Sequence, residues 1–216
     1  MPDPIDLAFP FTGSWLTQNS PANRVPSHGT DLFATAKAID FVPVDEHGRT
    51  APLRVGSWLR PEPPDRFPGF GRPIYAPASG VVVAVHDSEP DHDAHRGLPS
   101  VSYALTQGRR AAEGWEALAG NYVFIDTSRA IVALCHLQRG SVTVRAGMEV
   151  RAGAVLGRCG NSGNSTEPHL HIQAMDGTDA QHARPVRITF DGVLPRNGEI
   201  VTVVTPPPGD QTGGGG

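Results

Sequence analysis

Residues 160–173 read Gly160-Asn161-Ser162-Gly163-Asn164-Ser165-Thr166-Glu167-Pro168-His169-Leu170-His171-Ile172-Gln173. The first half consists of residues that make tight turns. The second half alternates, so a strand would carry His169, His171 and Gln173 on one side and Leu170 and Ile172 on the other. The apolar pair would anchor that strand on a core. Two imidazoles left adjacent on a polar face can bind a metal or move protons, and can equally be half-exposed strand histidines that only make hydrogen bonds. Gln173, on the same face, could orient a ligand, line a groove or simply be an exposed strand glutamine.

Working outward, short apolar segments bounded by Gly, Pro or Asn recur at 38–42, 81–86, 122–126, 131–136, 142–144, 150–156, 169–174, 187–190 and 200–204. Each has the length and borders of a strand. Val144-Arg145-Ala146-Gly147 returns as Val150-Arg151-Ala152-Gly153, two short strands with turns at the glycines. The one expected helix is 111–118. With 25 glycines and 21 prolines in 216 residues, a helical bundle is excluded. The expected fold is mostly β: a compact antiparallel sandwich or barrel-like single domain with a groove on one sheet face. Irregular stretches at 45–73 and 87–108 would supply long loops at its rim. Residues 27–205 would form the domain, 1–26 an N-terminal segment packing on it, and 206–216 a Pro/Gly-rich tail.

Eighteen Lys and Arg stand against 22 Asp and Glu, a net charge of −4, and no basic run occurs. That balance disfavours nucleic acid and anionic lipid as partners. No apolar stretch approaches the roughly 18 residues of a membrane span, and the first residues lack the basic and apolar segments of a secretory signal. A monomer is expected. Cys135 and Cys159 could form one disulfide or remain two buried thiols.

Three further residues carry chemistry. His136 ends the apolar run Ile131-Val132-Ala133-Leu134-Cys135-His136, where a lone histidine can be a structural hydrogen-bonder. Asp40 interrupts Ala38-Ile39-Asp40-Phe41-Val42, and burying that carboxylate is costly unless a cation or several donors face it. His28 lies in Ser27-His28-Gly29-Thr30-Asp31. The acidic stretch 87–95 is expected to be a solvated surface loop, and His47, His86 and His182 have no evident partners. Trp15, Trp58 and Trp115 are expected to be packing residues, although Trp58 lies in a loop that could border the groove.

Together these segments resemble the lysostaphin/LytM-type zinc metalloendopeptidases, from about Ser27 to Gly177. Residues 160–173 are similar to that family's GNSG…HLH signature. Ala76-Pro77-Ala78-Ser79-Gly80-Val81-Val82, His136-Leu137 and the spaced Val144, Gly147, Val150 and Gly153 follow its order. The resemblance implies a zinc ion held by His171 and Asp40, with His136 and His169 as catalytic histidines. One of these two would take a proton from water and the other hydrogen-bond the oxyanion, the assignment staying open. The family's remaining histidine stands four residues before the aspartate, where this chain has Ala36. His28 is the expected substitute, and Asp31, in an expected loop, is the rival to Asp40.

The implied function is hydrolysis of peptidoglycan peptide bonds by metal-activated water, which points to the cell envelope or the outside of the cell and conflicts with the absent signal. The alternative is a degenerate member that binds or regulates without cutting, favoured by Ala36. A biotinyl- or lipoyl-type carrier domain is disfavoured, because the only lysine, Lys37, does not sit at a tight exposed turn.

Overall fold

A computed structural model of the chain describes residues 3–51, 60–95 and 114–207. In chain order the strands are β1 (Ile5–Leu7), β2 (Gly13–Gln18), β3 (Ile39–Pro43), β4 (Pro73–Tyr75), β5 (Gly80–His86), β6 (Asn121–Asp126) and β7 (Ile131–Leu137). There follow β8 (Glu149–Val150), β9 (Val155–Arg158), β10 (Leu170–Met175), β11 (Pro185–Val186), β12 (Ile188–Phe190) and β13 (Ile200–Val203). A short α-helix, α1 (Trp115–Ala119), precedes β6.

The main sheet runs β13-β2-β3-β10-β7-β6-β5-β8, with β11 also paired to β10, and its neighbours are antiparallel throughout. Strands β3, β7 and β10 form its middle and are buried at every position. Full burial explains their near-continuous apolar reading, and it makes the polar residues among them conspicuous. The sheet stays open, ending at β13 and at the two-residue β8, so it is not a closed barrel.

The two faces of the sheet are covered differently. On one, Ile39, Phe41, Leu134, Leu170 and Ile172 pack with residues of the parallel β1–β12 ribbon and the antiparallel β4–β9 ribbon. Stacked and edge-on rings thicken this layer, including Phe11 on Trp15 at 4.5 Å and Phe41 against Phe190 at 5.3 Å. On the other face, Ala133, Cys135 and Met175 pack with Phe33, Tyr122, Phe124 and α1. Asp40, His171 and Gln173 alternate out of the first layer and therefore share this second face.

Several expectations change. Residues 142–144 form no strand: Thr143 makes one backbone bond, to Leu156, with no ladder to continue it. The stretch 150–156 divides into β8 and β9 at the turn that Gly153, with φ +82°, makes. Within the expected helix 111–118, residues 111–113 lie outside the described residues, and α1 starts at Trp115. Strands β1, β2, β4 and β11 were not anticipated; each is short or polar enough to lack a period of its own. Cys135 and Cys159 are both free and buried, one in each core layer, and burial pushes both thiols far up.

Candidate active site

The turn at 160–163 is built for close approach. A Cβ on Gly163, whose φ is +69°, would collide with the Gly120 backbone nitrogen, and one on Gly160 would strike the backbone of Gln138. Between them, Ser162 Oγ donates to Leu137 O at 2.8 Å and accepts from Asn121 N at 3.0 Å. The acidic stretch 87–95, expected to be merely solvated, is a tether for this turn. Asp91 accepts from Asn161 N at 2.7 Å and Arg139 N at 3.0 Å, and His92 O accepts from Asn161 Nδ2 at 2.7 Å. No metal-type cluster other than His28, Asp40 and His171 occurs among the described residues.

His136 reaches the site through a bulge. The β6–β7 register skips between Asn121–Leu137 and Val123–Leu134, and His136 has φ +62°. Simple alternation would send its ring to the side of Leu134, into the first core layer. The extra residue turns it onto the side of Cys135, and both line the same cavity. Its Nδ1–H donates to Ser162 O at 2.9 Å, which leaves Nε2 with a lone pair. His169, immediately before β10, donates from Nδ1 to Glu167 O at 2.8 Å with Ser165 Oγ 2.9 Å away. Its Nε2 stands 3.9 Å from Asp40 Oδ1.

His171 is oriented by a chain that begins on another element. Gln173 Nε2 donates to Phe33 O at 2.8 Å, so Gln173 Oε1 faces His171 Nε2 at 3.0 Å and must accept from it. The lone pair of His171 is thereby placed on Nδ1, 2.9 Å from Asp40 Oδ1. Phe33 and Ala34 have φ of +56° and +59°, a left-handed turn that presents this carbonyl.

His28 is brought back by a loop. Ser27 N donates to Ala36 O at 2.9 Å, and Ser27 Oγ donates to Ala38 O at 2.7 Å. With its proton so committed, Ser27 Oγ accepts from His28 Nδ1 at 3.0 Å, and His28 Nε2 lies 3.1 Å from Asp40 Oδ2. Ala36 contributes its backbone to this closure and its side chain is buried. Asp31 is exposed and Asp40 is buried, so the structure brings Asp40 and not Asp31 to the histidines. Asn19, which carried no sequence signal, donates from Nδ2 to Asp40 Oδ2 at 2.7 Å.

One nitrogen of His28, one of His171 and a carboxylate oxygen of Asp40 thus lie within 4.8 Å of one another. Burial opposes the charge on Asp40, but His28, His169 and His171 outweigh it and hold the carboxyl well below its usual range. Burial, then the charges of His169 and His171, keep His136 well below the usual histidine range and hence neutral. Burial also opposes protonation of His171, yet the Asp40 carboxylate prevails and raises it. The donor set fits zinc: two imidazole lone pairs converge on a carboxylate with no hydrogen to share unless a proton or a cation stands between them. The five residues line a cavity of about 300 Å³ that also takes in Leu32, Phe33, Trp115 and Leu118.

Solved structures similar to this chain include a peptidase M23 from Pseudomonas aeruginosa, at 20% identity over 87% of this chain and TM-score 0.40; this chain spans 50% of its length. The catalytic domain of lysostaphin from Staphylococcus simulans is 18% identical over 73% of this chain and 79% of its own, with TM-score 0.40. A zinc-containing peptidase from Vibrio cholerae is 18% identical over 85% of this chain and 37% of its own, with TM-score 0.38. The sequence model of peptidase family M23 matches residues 66–185, a span that holds His136, His169 and His171 and begins after His28 and Asp40. With more than half of its length inside that match, the chain belongs to peptidase family M23.

Proposed function

We propose that this protein is a zinc-dependent endopeptidase that hydrolyses peptide bonds of peptidoglycan, in the stem or the cross-bridge. The observation that carries the reading is the convergence of donor atoms from His28, Asp40 and His171 within 4.8 Å, with His136 and His169 lining the same cavity. Those three residues would hold the ion. When bound, zinc supplies the positive charge that acidifies a water and polarises an amide carbonyl.

The chain's own residues divide the rest of the work. His136, neutral and with its Nδ1–H tied to Ser162 O, accepts the proton of the attacking water at Nε2 and returns it to the departing amine nitrogen as the C–N bond breaks. His169, tied through Nδ1 to Glu167 O, presents Nε2 to the carbonyl oxygen and, once protonated, donates to it. Asn19 holds Asp40, Gln173 holds His171 and Ser27 holds His28.

On this reading residues 27–205 together with strands β1 and β2 of the N-terminal segment form the metallopeptidase domain, and the protein works as a monomer on cell-wall peptide. The test is metal analysis together with mass spectrometry of products from purified cell wall, for wild type, His28→Ala and His171→Ala. Stoichiometric zinc and new peptide ends in wild type, with both lost in each variant, are expected. Zinc retained by His28→Ala would remove His28 from the site. Zinc-loaded wild type that cuts nothing would leave the degenerate binding module.

A further inference from the structure

One side of the cavity is not explained by hydrolysis. Phe33 and Trp115 lie ring to ring at 6.1 Å, and Leu118 follows Trp115 by one turn of α1. Trp115 is held by two more rings, Tyr122 at 6.4 Å and Phe124 at 6.0 Å. Its Nε1 is buried without a hydrogen-bond partner, so the part of the indole that lines the cavity is hydrocarbon. Leu32, 58% exposed, extends the same surface to the rim.

Among the described lining residues there is no lysine, arginine or glutamate. The sole carboxylate is Asp40, already committed to His28, His171 and Asn19. Against Phe33, Trp115 and Leu118 a charged substrate side chain would lose water and gain no counter-charge from the described lining residues. An aliphatic one would lose only apolar contact with water.

We infer that Phe33, Trp115 and Leu118, extended by Leu32, form a specificity subsite that takes the uncharged aliphatic side chain of a residue flanking the cleaved bond. The inference rests on the hydrolase reading for its place in the reaction but not for its binding. The wall selects by contact, and each methylene accepted is worth about tenfold or more in discrimination. Carboxylate- and ammonium-bearing residues are rejected at this position.

The probes are blocked peptides Gly-Gly-Xaa-Gly-Gly with Xaa as Gly, Ala, Leu, Glu or Lys, and the leucine, glycine and glutamate peptides N-methylated along the backbone so that they resist cleavage. For wild type, kcat/KM should rank Leu and Ala above Gly by about tenfold or more, with Glu and Lys last, and calorimetric affinity should rank the Leu analogue above the Gly analogue and the Glu analogue last. Trp115→Ala should collapse the Leu-to-Gly ratio. Leu32→Lys, at an exposed position, should raise the Glu peptide relative to the Leu peptide, a gain that misfolding cannot imitate.

Cleavage of Gly and Leu peptides at equal rates, with the order unmoved by Leu32→Lys, would overturn the subsite and leave the hydrolase standing. Binding in the stated order without cleavage would sustain the subsite and sink the hydrolase. Neither binding nor cleavage of any peptide would overturn both.

Discussion

His171 and His28 face the same carboxylate, yet they are held by opposite kinds of structure. His171 sits in β10, paired with β3 on one side through His171–Asp40 and with β7 on the other through His171–Cys135. Its register is set by strands far apart in sequence, and moving it by one residue would turn every side chain of β10 to the wrong face. His28 sits on a loop closed by Ser27, whose backbone and hydroxyl bind Ala36 and Ala38 nearby. Its side chain is 19% exposed against 8% for His171. A sheet can therefore place one of the two proposed ligands as a by-product of folding, whereas the other depends on a few local hydrogen bonds.

The largest expected effect is common to both sides. Asp40→Ala and His171→Ala should each abolish zinc retention after dialysis and lower cell-wall cleavage by more than the about 100-fold seen when only a supporting hydrogen bond is removed. Zinc retained by Asp40→Ala would break the comparison at its centre.

Next come the supports themselves. Ser27→Ala and Gln173→Met should each weaken zinc by about 10–100-fold in a chelator competition. Ser27→Ala should cost more, because the β10 ladder still holds His171 when Gln173 is gone. Equal losses, or the reverse order, would mean that strand register contributes nothing beyond the amide.

A smaller effect is read from stability. His136 titrates lower in the folded chain than its ordinary 6.5, so the unfolded chain binds more protons as the pH drops below that value. Its contribution is present above 6.5 and is lost as the pH falls toward the depressed folded value. Between about pH 8 and about pH 5, metal-free wild type should lose more urea stability than His136→Gln does. Identical losses would show that the bulge leaves the ring solvated. The smallest effect belongs to Asp31→Asn: this exposed carboxylate should change neither zinc affinity nor cleavage, and a loss in either would reopen the choice between Asp31 and Asp40.

Much of the second half of the molecule was legible from residues. Alternation in 169–174 placed His171 and Gln173 together, and the turn at 160–163 was plain from its glycines and asparagines. Asp40 announced itself as a carboxylate where burial needs compensation. His136 was named for its place in the run 131–136, but its arrival on the site face was not legible, since the bulge breaks the alternation that a sequence pattern relies on. Asn19 and the Phe33 carbonyl carry no motif at all: one is a single polar residue past the end of β2, the other a backbone atom exposed by a left-handed turn. The strands β1, β4 and β11 escaped because two or three residues cannot show a period.

Chain order alone determined the strand-rich class, the tight turn before β10 and the residue types able to bind a metal, because each of these depends on neighbours a few positions away. Only the tertiary structure decided which nitrogen of each imidazole carries a lone pair, that His28 closes on Asp40 across the loop containing Ala36, and that an apolar wall from α1 and Phe33 borders the histidines. Those outcomes depend on contacts between segments separated by tens of residues, and a hydrogen bond such as Gln173 to Phe33 exists only once both strands and loop have found their register.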